Sequence, residues 1–471
     1  MNKRIYLLLE VKKRELDSRC YFAIKACLNN YEVVICKKNN FYVNKKFLES
    51  GMVILKSAGI RNLKDIMETK SAGHSLSVMD EEGLMYFSPE DFIQRRIYKE
   101  NLKYIDYIFT WGQDDYQLLS NQLTEHKEKI YKTGSPRIDI LMDPVNQIYY
   151  DDALKIKKEF GEFYLLNTFF TYTNHFYSKS KEKRSEVLQS ESFNNDSLIY
   201  INGLKMEKVQ KETLKKTIEF VNKFAEKYPE EKLVIRPHMS ENHILWHKLS
   251  KKYKNVHTVY DDMNTCSWIA ASNFTISSNC TTSVEAFLLK KINYNFTPVI
   301  DNDVMYKLPK ITGIQVNTLD TLIEKVDNFK NKNTDQKFFE ILLKENYEKL
   351  KINMLNLTNG NCSVENMIKC FSEELNKKSK VTRDVRKNYL NYAYLRIKSK
   401  MYYYFIKIKS LFDKKIRENI KFAIQKFPNL TEDEIEQRIN VITEKMKINE
   451  NFKVKQIYPG AFLIKKNNKN N

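Results

Sequence analysis

The chain has 471 residues, of which 42% are hydrophobic and 13% aromatic, and its formal net charge is +20. This length exceeds one ordinary hydrophobic core and predicts two domains with additional segments, while the composition excludes a wholly disordered chain. The positive charge indicates an anionic partner, such as nucleic acid, an anionic membrane or a phosphorylated substrate. The seven cysteines include no C-x-x-C pair, which argues against disulfides and against a zinc site.

The first apolar segment, IYLLLEV, predicts a β-strand rather than a signal peptide. Its apolar run is short and is interrupted by Glu10, Lys12 and Lys13. It lacks the longer apolar region and the small-residue cleavage site of secretory leaders. No apolar run reaches the ~18–20 residues that a membrane span requires. We therefore expect a cytoplasmic protein.

Short apolar segments alternate with helical patterns along the first 330 residues. In the first block the predicted strands are IYLLLEV, YEVVIC, GMVILKSA, SLSVM and YIDYIFTWG. In the second block they are FYLLNTFF, KLVIRPH, NVHTVY, NFTISSN and KINYNF. Two such series predict two doubly wound α/β domains with mainly parallel sheets, at 1–150 and 160–334.

Three further segments complete the predicted organisation. Residues 171–205 are polar and rich in Lys, Ser and Asn, which predicts a long loop after the first strand of the second domain. Residues 335–379 are expected to form closing helices. Residues 380–471 are expected to form a basic, helical C-terminal extension.

Three adjacent acids, Asp80, Glu81 and Glu82, follow the predicted strand SLSVM, and Gly83 comes next. Ligands of α/β sheets bind at the carboxyl ends of strands, so these acids lie where chemistry is expected. Crowded carboxylates raise one another's pKa, as a general base or a nucleophile requires. His74 precedes the same strand and supports the functional interpretation. The alternative is a solvated acidic turn.

A second candidate site follows the strand LVIR, where Arg236, Pro237 and His238 precede a predicted helix. The proline ends the strand and leaves the histidine close to a helix start. Arg236 and His238 together would suit a phosphate or a pyrophosphate. The alternative is a solvent-facing loop.

A third candidate site follows the strand NFTISSN, where five hydroxyl side chains occur within seven residues. A helix is predicted to begin among them, and hydroxyl groups and backbone N–H groups at a helix start form a cradle for an anion. Ordinary capping would explain one of these hydroxyls. The candidate residues are Ser277, Ser278, Thr281, Thr282 and, in the helix, Glu285.

The fourth candidate combines two turns, Trp111-Gly112 and the sequence GSPR at 134–137. Taken alone they predict a tight turn and a capped helix. Gly134 and Arg137 are also candidates for lining a cleft between the domains.

In this order, acid-Gly, R-P-H and then S-S…T-x-x-E resemble the motifs of GT-B glycosyltransferases that use CMP-activated sialic acid or Kdo. The patterns DEEG, WG, G-x-P-R-x-D and RPH-x-x-E, in this order, resemble the surface carbohydrate (polysaccharide) biosynthesis protein family. The resemblance covers residues 1–375. It implies a GT-B fold, with two Rossmann-like domains facing a cleft, and a nucleotide-sugar-dependent transferase of capsule or lipopolysaccharide type.

By the same resemblance, one acid of DEEG acts on the acceptor hydroxyl or on the anomeric carbon, in the order of preference Glu81, Asp80, Glu82. His238 and the four hydroxyls at 277, 278, 281 and 282 would hold the CMP phosphate, with Arg236 and Glu285 beside it. The sequence departs from the family because Met239 follows His238 and the proline precedes it. No D-x-D motif stands at a suitable place, so we expect metal-independent catalysis and no cofactor beyond the donor substrate.

Two other functions stay open. R-P-H and S-S are also similar to elements of CDP-glycerol glycerophosphotransferases, which would need an acceptor-activating histidine in the first domain, His74 or His126. The other possibility is non-catalytic, either a degenerate GT-B scaffold or a basic RNA-binding protein.

The segment 380–421 has thirteen Lys and Arg against three Asp and Glu, a net charge of +10, and eight interleaved Tyr and Phe. Nucleic-acid binding would need this charge spread over a groove, so we expect no nucleic-acid partner. The pattern instead predicts a helix on an anionic membrane surface, with a glycan or a lipid-linked glycan as acceptor. The protein would then be peripheral on the inner face of the cell membrane. The alternative is a solvated helical linker.

Overall fold

The computed structural model describes residues 3–83, 85–177, 197–261, 263–331, 335–358, 360–378 and 385–467. The chain divides into two compact units. The first consists of 1–83, 96–145 and 351–471, and the second of 84–95 and 146–350. The segment expected to form closing helices, 335–379, is therefore divided between the two units.

The strands in chain order are β1 Lys3–Leu9, β2 Tyr31–Lys37, β3 Met52–Leu55, β4 Ser75–Met79, β5 Tyr107–Thr110, β6 Ile130–Lys132, β7 Tyr164–Asn167, β8 Leu233–Arg236, β9 Val256–Thr258, β10 Thr275–Ser277, β11 Asn293–Phe296, β12 Ile314–Val316, β13 Phe452–Tyr458 and β14 Ala461–Lys466.

The helices before residue 146 are α1 Lys12–Leu28, α2 Lys38–Asn44, α3 Leu63–Ser71, α4 Pro89–Arg96, α5 Lys99–Leu102, α6 Gln113–Gln122 and α7 Pro136–Asp139. All of them belong to the first unit except α4, which lies in the second unit apart from its last residue. The other helices of the second unit are α8 Gln147–Phe160, α9 Leu198–Lys227, α10 Ile244–Ser250, α11 Thr265–Ala271, α12 Thr281–Leu288, α13 Lys307–Thr312, α14 Leu319–Lys330 and α15 Gln336–Leu350. The chain then forms α16 Ser363–Lys378, α17 Val385–Phe412, α18 Lys414–Lys426 and α19 Glu432–Lys445 in the first unit.

The first sheet has the strand order β13-β14-β2-β1-β3-β4-β5-β6. Strands β1 to β6 pair in parallel. Their interiors are continuous apolar runs, as expected where helices cover both faces of a parallel sheet. The order of strands reverses between β1 and β3, which makes the carboxyl ends of these two strands the switch point of the sheet.

The second sheet has the strand order β12-β11-β10-β7-β8-β9, and all its pairs are parallel. Counted from the first strand of the unit, this is the doubly wound order 3-2-1-4-5-6 read from the opposite edge. The switch point lies between β7 and β10. The structure thus confirms the two doubly wound α/β domains that the strand–helix alternation predicts.

The C-terminal segment differs from the expected helical extension. Residues 385–445 are helical, but β13 and β14 form a hairpin whose second strand pairs antiparallel with β2. The apolar residues of FKVKQIY alternate with exposed ones, which is the pattern of a half-buried strand. The hairpin covers the edge of β2, which would otherwise present unpaired backbone groups.

The predicted loop at 171–205 also differs in part. Residues 198–205 form the first two turns of α9, and Ser197 caps that helix by accepting a hydrogen bond from the backbone N–H of Tyr200. Residues 178–196 lie outside the described residues.

Candidate active site

The acidic turn follows β4 and lies at the carboxyl edge of the first sheet. The Asp80 side chain accepts a hydrogen bond of 2.7 Å from the backbone N–H of Glu82, which folds the turn on itself. The Trp111 indole N–H donates to the backbone oxygen of Asp80 at 2.7 Å. A Cβ atom at Gly83 would lie 3.2 Å from the indole nitrogen, so the close approach of Trp111 favours glycine there.

The GSPR turn supports the acidic turn through the side chain of Arg137. Arg137 is buried and donates from Nη1 to the backbone oxygen of Glu81 at 2.7 Å. Gly134 has a φ of +83°, and a Cβ there would lie 2.7 Å from the Asn356 side chain. Ser135 caps α7 by accepting from the backbone N–H of Arg137. Both turns of the fourth candidate therefore position the acids.

The three carboxylates of the turn pair with three arginines, of which Arg96 contacts both Asp80 and Glu82. Glu81 pairs with Arg19 at 2.5 Å, and both side chains are buried. Glu82 is held by Arg14 at 2.8 Å and by Arg96 at 2.7 Å. Each acid thus has its own electrostatic environment, although the three are adjacent in sequence.

Burial raises the pKa of Asp80, and this effect outweighs the opposing charge of Arg96, whose Nε lies 3.3 Å from Oδ2. Burial would raise the pKa of Glu82 too, but Arg14, Arg96 and Lys56 hold it well below its usual value. A proton acceptor that works near neutral pH needs a raised pKa. Asp80 thus has a raised pKa and Glu82 a lowered one, and Glu81 is 2% exposed and paired with Arg19.

Further charged residues surround the switch point of the first sheet. Glu15 accepts hydrogen bonds from the backbone N–H groups of Glu10 and Val11 and pairs with Lys56 at 3.2 Å. Arg14, Arg19, Lys56 and Arg96 were not predicted from the sequence. Their one sequence signal is that they follow or flank strands at the carboxyl edge.

His74 lies at the other end of β4 from the acids. Its ring packs against Tyr6 and Phe41, with ring centroids 5.3 and 5.5 Å away, and Nε2 lies 3.1 Å from the backbone oxygen of Lys45. His74 lies six residues before Asp80 along the extended chain, a separation of roughly 20 Å. His74 is therefore a packed core residue and does not join the acidic turn.

In the second unit, Arg236 ends β8, but its guanidinium is already engaged. It pairs with Asp261 at 2.7 Å, stacks over Trp268 at 4.9 Å from the ring centroid, and donates to the backbone oxygen of Met263. The side chain is buried. This arginine positions the loop after β9 rather than presenting an open phosphate ligand.

His238 lies two residues further on and is partly exposed. Its Nδ1 accepts a hydrogen bond of 3.2 Å from the backbone N–H of Ser240, which places the proton of the neutral ring on Nε2. The ring stands edge-on to Phe169, with centroids 5.4 Å apart. His238 therefore has a donor nitrogen suited to a phosphate oxygen.

Glu241, the acid of RPH-x-x-E, is fully buried and organises the carboxyl edge of the second sheet. Its carboxylate accepts from the backbone N–H of His238 at 3.3 Å and from the hydroxyl of Thr168 at 2.7 Å. Further donors are the backbone N–H of Phe170, the Asn174 amide and the Trp246 indole. Burial raises the pKa of Glu241, and these donors oppose that shift. It ties the loop after β7 to the loop after β8.

The predicted hydroxyl cradle is in part internally satisfied. Ser277 is buried and donates to the Asn293 side chain at 3.0 Å, and Ser278 donates to the backbone oxygen of Phe296 at 2.8 Å. Thr281 and Thr282 form the first turn of α12. Glu285 follows one turn later on the same helix and is partly buried.

A small, mainly apolar pocket with an accessible volume of about 30 Å³ lies at the switch point of the second sheet. Phe169 and Phe170 after β7, and Ser278 and Asn279 after β10, form two of its sides. The remaining lining residues are Met206, Val209, Gln210, Thr213, Phe296, Thr297, Val299 and Met305. Its mainly apolar lining with a few polar groups has the composition of small-molecule sites, which are usually larger than this pocket.

The pocket was not predicted from the sequence, because many of its lining residues come from α9 and from the segment after β11. The segment FYLLNTFF could have indicated the pocket, because residues after the first strand of a doubly wound domain border its switch point. Among the described residues, no group of three or more His, Cys, Asp or Glu is arranged to hold a metal ion.

No family model matches the sequence, and no curated protein matches it. Among solved structures, the chain is similar to the wall teichoic acid polymerase TagF. A histidine-to-alanine variant has a TM-score of 0.52 at 10% identity, over 81% of this chain and 90% of that chain. A histidine-to-asparagine variant soaked with CDPG has a TM-score of 0.51 at 11% identity, over 80% and 90%.

A UDP-GlcNAc 2-epimerase from Methanocaldococcus jannaschii, in complex with UDP-GlcNAc and UDP, has a TM-score of 0.47 at 15% identity, over 79% of this chain and 100% of that chain. At such identities the similarity to TagF concerns the fold alone. The chain has two Rossmann-like α/β domains of the GT-B class, as the motif order predicts.

Proposed function

We propose that the chain is a nucleotide-sugar-dependent glycosyltransferase of surface polysaccharide biosynthesis. The donor would be a CMP-activated, sialic-acid-like or Kdo-like sugar, and the acceptor a glycan or a lipid-linked glycan. The observation that carries the proposal is the acidic turn at 80–83, which Trp111 and Arg137 hold at the carboxyl edge of the first sheet.

In this proposal Asp80 is the general base that takes the proton of the acceptor hydroxyl. Its raised pKa makes it a stronger proton acceptor than an ordinary aspartate, and the nearby Arg96 favours its ionised form. Glu82 would hold Arg14 and Arg96 in place, and Glu81 would neutralise Arg19. The three acids would thus have separate roles, which the sequence alone did not distinguish.

The second unit would hold the donor. The pocket between Phe169 and Asn279 offers apolar surface for a base or a sugar ring. The Nε2–H group of His238, with Ser278 and the first turn of α12, would bind the phosphate and its developing charge. Because these groups can stabilise the leaving phosphate, we propose catalysis without a metal ion.

The second candidate is a CDP-glycerol-type phosphotransferase. The similarity in fold to TagF soaked with CDPG suggests this candidate. This reaction would need an acceptor-activating histidine in the first unit. The two histidines of that unit are His74, which is buried, and His126, which precedes β6 and so belongs to the amino edge of the sheet. Neither lies beside the acidic turn, and for this reason we place glycosyl transfer first.

We further propose that the enzyme works at the inner face of the cell membrane, where a lipid-linked acceptor would be found. The excess of positive charge in 380–421 supports this location.

A non-catalytic scaffold would keep the fold but would bind no donor.

The test is a thermal-stability screen of the full chain with CMP-, CDP-, UDP- and GDP-conjugates. A ligand at about 100 times its Kd stabilises the native state by about 2.7 kcal/mol, a clear shift in Tm. We expect a CMP-sugar to give the largest shift and His238→Ala to abolish it. A shift with CDP-glycerol alone would favour the second candidate, and no shift with any conjugate would refute both enzymes.

A further inference from the structure

Helix α17 is anchored to the first unit by its N-terminal half. The Tyr392 hydroxyl accepts a hydrogen bond from Arg4 at 3.0 Å, and Arg396 donates to the backbone oxygen of Ile457 at 3.1 Å. Between them, Leu395 is fully buried. At about 100° per residue, these three positions lie on one side of the helix.

The opposite side of α17 carries an apolar surface that we call the distal face. Its six side chains are between 52% and 86% exposed, and they are Met401, Tyr404, Phe405, Ile408, Leu411 and Phe412. A contiguous patch of exposed apolar side chains on a protein surface usually marks an interaction site. The anchoring contacts do not use it, because they lie on the other side of the helix.

Lysines border the distal face on both sides. At about 100° per residue, Lys400 and Lys407 flank one edge and Lys398 and Lys409 flank the other. Residues 385–412 contain no Asp or Glu, and after Asp413 come Lys414 and Lys415. An apolar stripe with Tyr and Phe between two rows of lysine is the pattern of a helix that lies in a membrane interface.

We propose that the distal face of α17 docks on an anionic lipid surface, with Met401, Phe405, Ile408 and Phe412 entering the boundary between headgroups and acyl chains. The flanking lysines would contact the lipid phosphates. None of the described helices has the length and apolar character needed to cross a bilayer. The helix would lie along the surface, fixed to the first unit by the contacts of Tyr392 and Arg396.

A second copy of the chain is the rival occupant. Tyr394, Ile397, Met401, Tyr404 and Ile408 alternate at spacings of three and four, as in a coiled-coil seam. However, the flanking charges are all lysine, so pairing two copies would bring like charges together without an acidic partner. An anionic lipid surface neutralises these charges, and we therefore favour it.

This inference deepens the membrane part of the proposed function, but its test needs neither donor nor acceptor. The full chain is sedimented with phosphatidylcholine vesicles, with and without about 30% phosphatidylglycerol. We expect the anionic lipid to raise binding at least about tenfold, and a change from about 0.1 M to about 0.5 M salt to remove most of that gain.

Two matched double variants test which side of the helix makes the contact. Met401→Ser with Phe405→Ser changes the distal face, and Tyr402→Ser with Tyr403→Ser changes exposed side chains on the remaining surface of the same helix. We expect the first pair to lower vesicle binding about tenfold and the second pair to lower it less than about twofold. Unchanged circular dichroism and Tm would show that both variants fold.

Three results would overturn the inference. The first is that the full chain binds no better to anionic than to neutral vesicles, and the second is that both double variants lose binding equally. The third is a dimer in sedimentation velocity that the first pair converts to a monomer, which would identify a second copy as the occupant. A donor-induced thermal shift that persists in any of these cases would leave the proposed transfer reaction intact.

Discussion

Arg137 donates a hydrogen bond of 2.7 Å to the backbone oxygen of Glu81, which joins the GSPR turn to the acidic turn 56 residues earlier. The contact is to a backbone atom, so it fixes the shape of the acidic turn without neutralising any of its carboxylates. A guanidinium in this place supports the acids that the sequence marks as reactive. The two motifs therefore act as one structural unit.

Replacing Arg137 tests this support. Arg137→Ala should lower the free energy of unfolding by about 1–3 kcal/mol, because it leaves a buried carbonyl without its donor. It should also lower kcat, with a smaller change in KM, because the acids lose their position. Urea denaturation and a transfer assay measure the two effects. A variant with normal kcat would show that the turn holds its shape unaided.

The three acids should respond differently to neutral substitution. Asp80→Asn should lower kcat about 10²–10⁴-fold with little change in stability, as expected for loss of a general base. Glu81→Gln should instead destabilise the fold by about 3–5 kcal/mol, because it leaves Arg19 buried without its counterion. Parallel denaturation and kinetic measurements distinguish these outcomes. The reverse pattern would restore Glu81 as the reacting acid.

The pH profile should depend on Arg96. A general base works only when it is deprotonated, so kcat/KM should fall as the pH drops through the raised pKa of Asp80. Arg96 opposes that rise, and Arg96→Gln should move the acidic limb of the profile to higher pH. The matched variant Arg95→Gln changes a neighbouring arginine that pairs with Asp91 and should leave the limb unmoved.

Glu82 should make stability depend on pH in a defined direction. Its folded-state pKa lies well below the unfolded value of 4.5, so its contribution is complete above pH 4.5 and is lost as the pH falls through the folded pKa. The advantage of the wild type over Glu82→Gln should be on the order of 1 kcal/mol, because the side chain is partly exposed. Denaturation at several pH values should show this advantage shrinking in acid. An advantage that grows in acid would contradict it.

Glu241 should act as a positioning residue for His238. Glu241→Gln removes the charge and turns one acceptor oxygen into a donor, so the loops after β7 and β8 should loosen. We expect the donor Kd to rise about tenfold while the unfolding free energy falls by about 1–3 kcal/mol. Glu219→Gln, which changes an exposed acid of α9 paired with Lys216, provides a control on the same unit. Thermal-shift titration measures the affinity, and an unchanged Kd would make Glu241 purely structural.

Several features were predictable from the sequence because they depend on local patterns. Strands of a parallel sheet are buried on both faces, so β1, β3 and β8 contain continuous apolar runs between helical segments. Residues that follow such strands must reach the carboxyl edge of the sheet, which placed Asp80 and His238 correctly. The chain order of the motifs was sufficient to predict the GT-B class.

Other features required the tertiary structure, because they depend on residues distant in sequence. Arg19 meets Glu81 across 62 positions, and this pairing is the reason that we propose Asp80 rather than Glu81 as the base. The switch-point pocket exists only once α9 covers the ends of β7 and β10, and the hairpin β13–β14 joins the edge of β2. Local apolar periodicity determined where strands and helices form. Long-range burial and charge pairing decided which acid keeps a raised pKa, because the pKa depends on neighbours that only folding brings together.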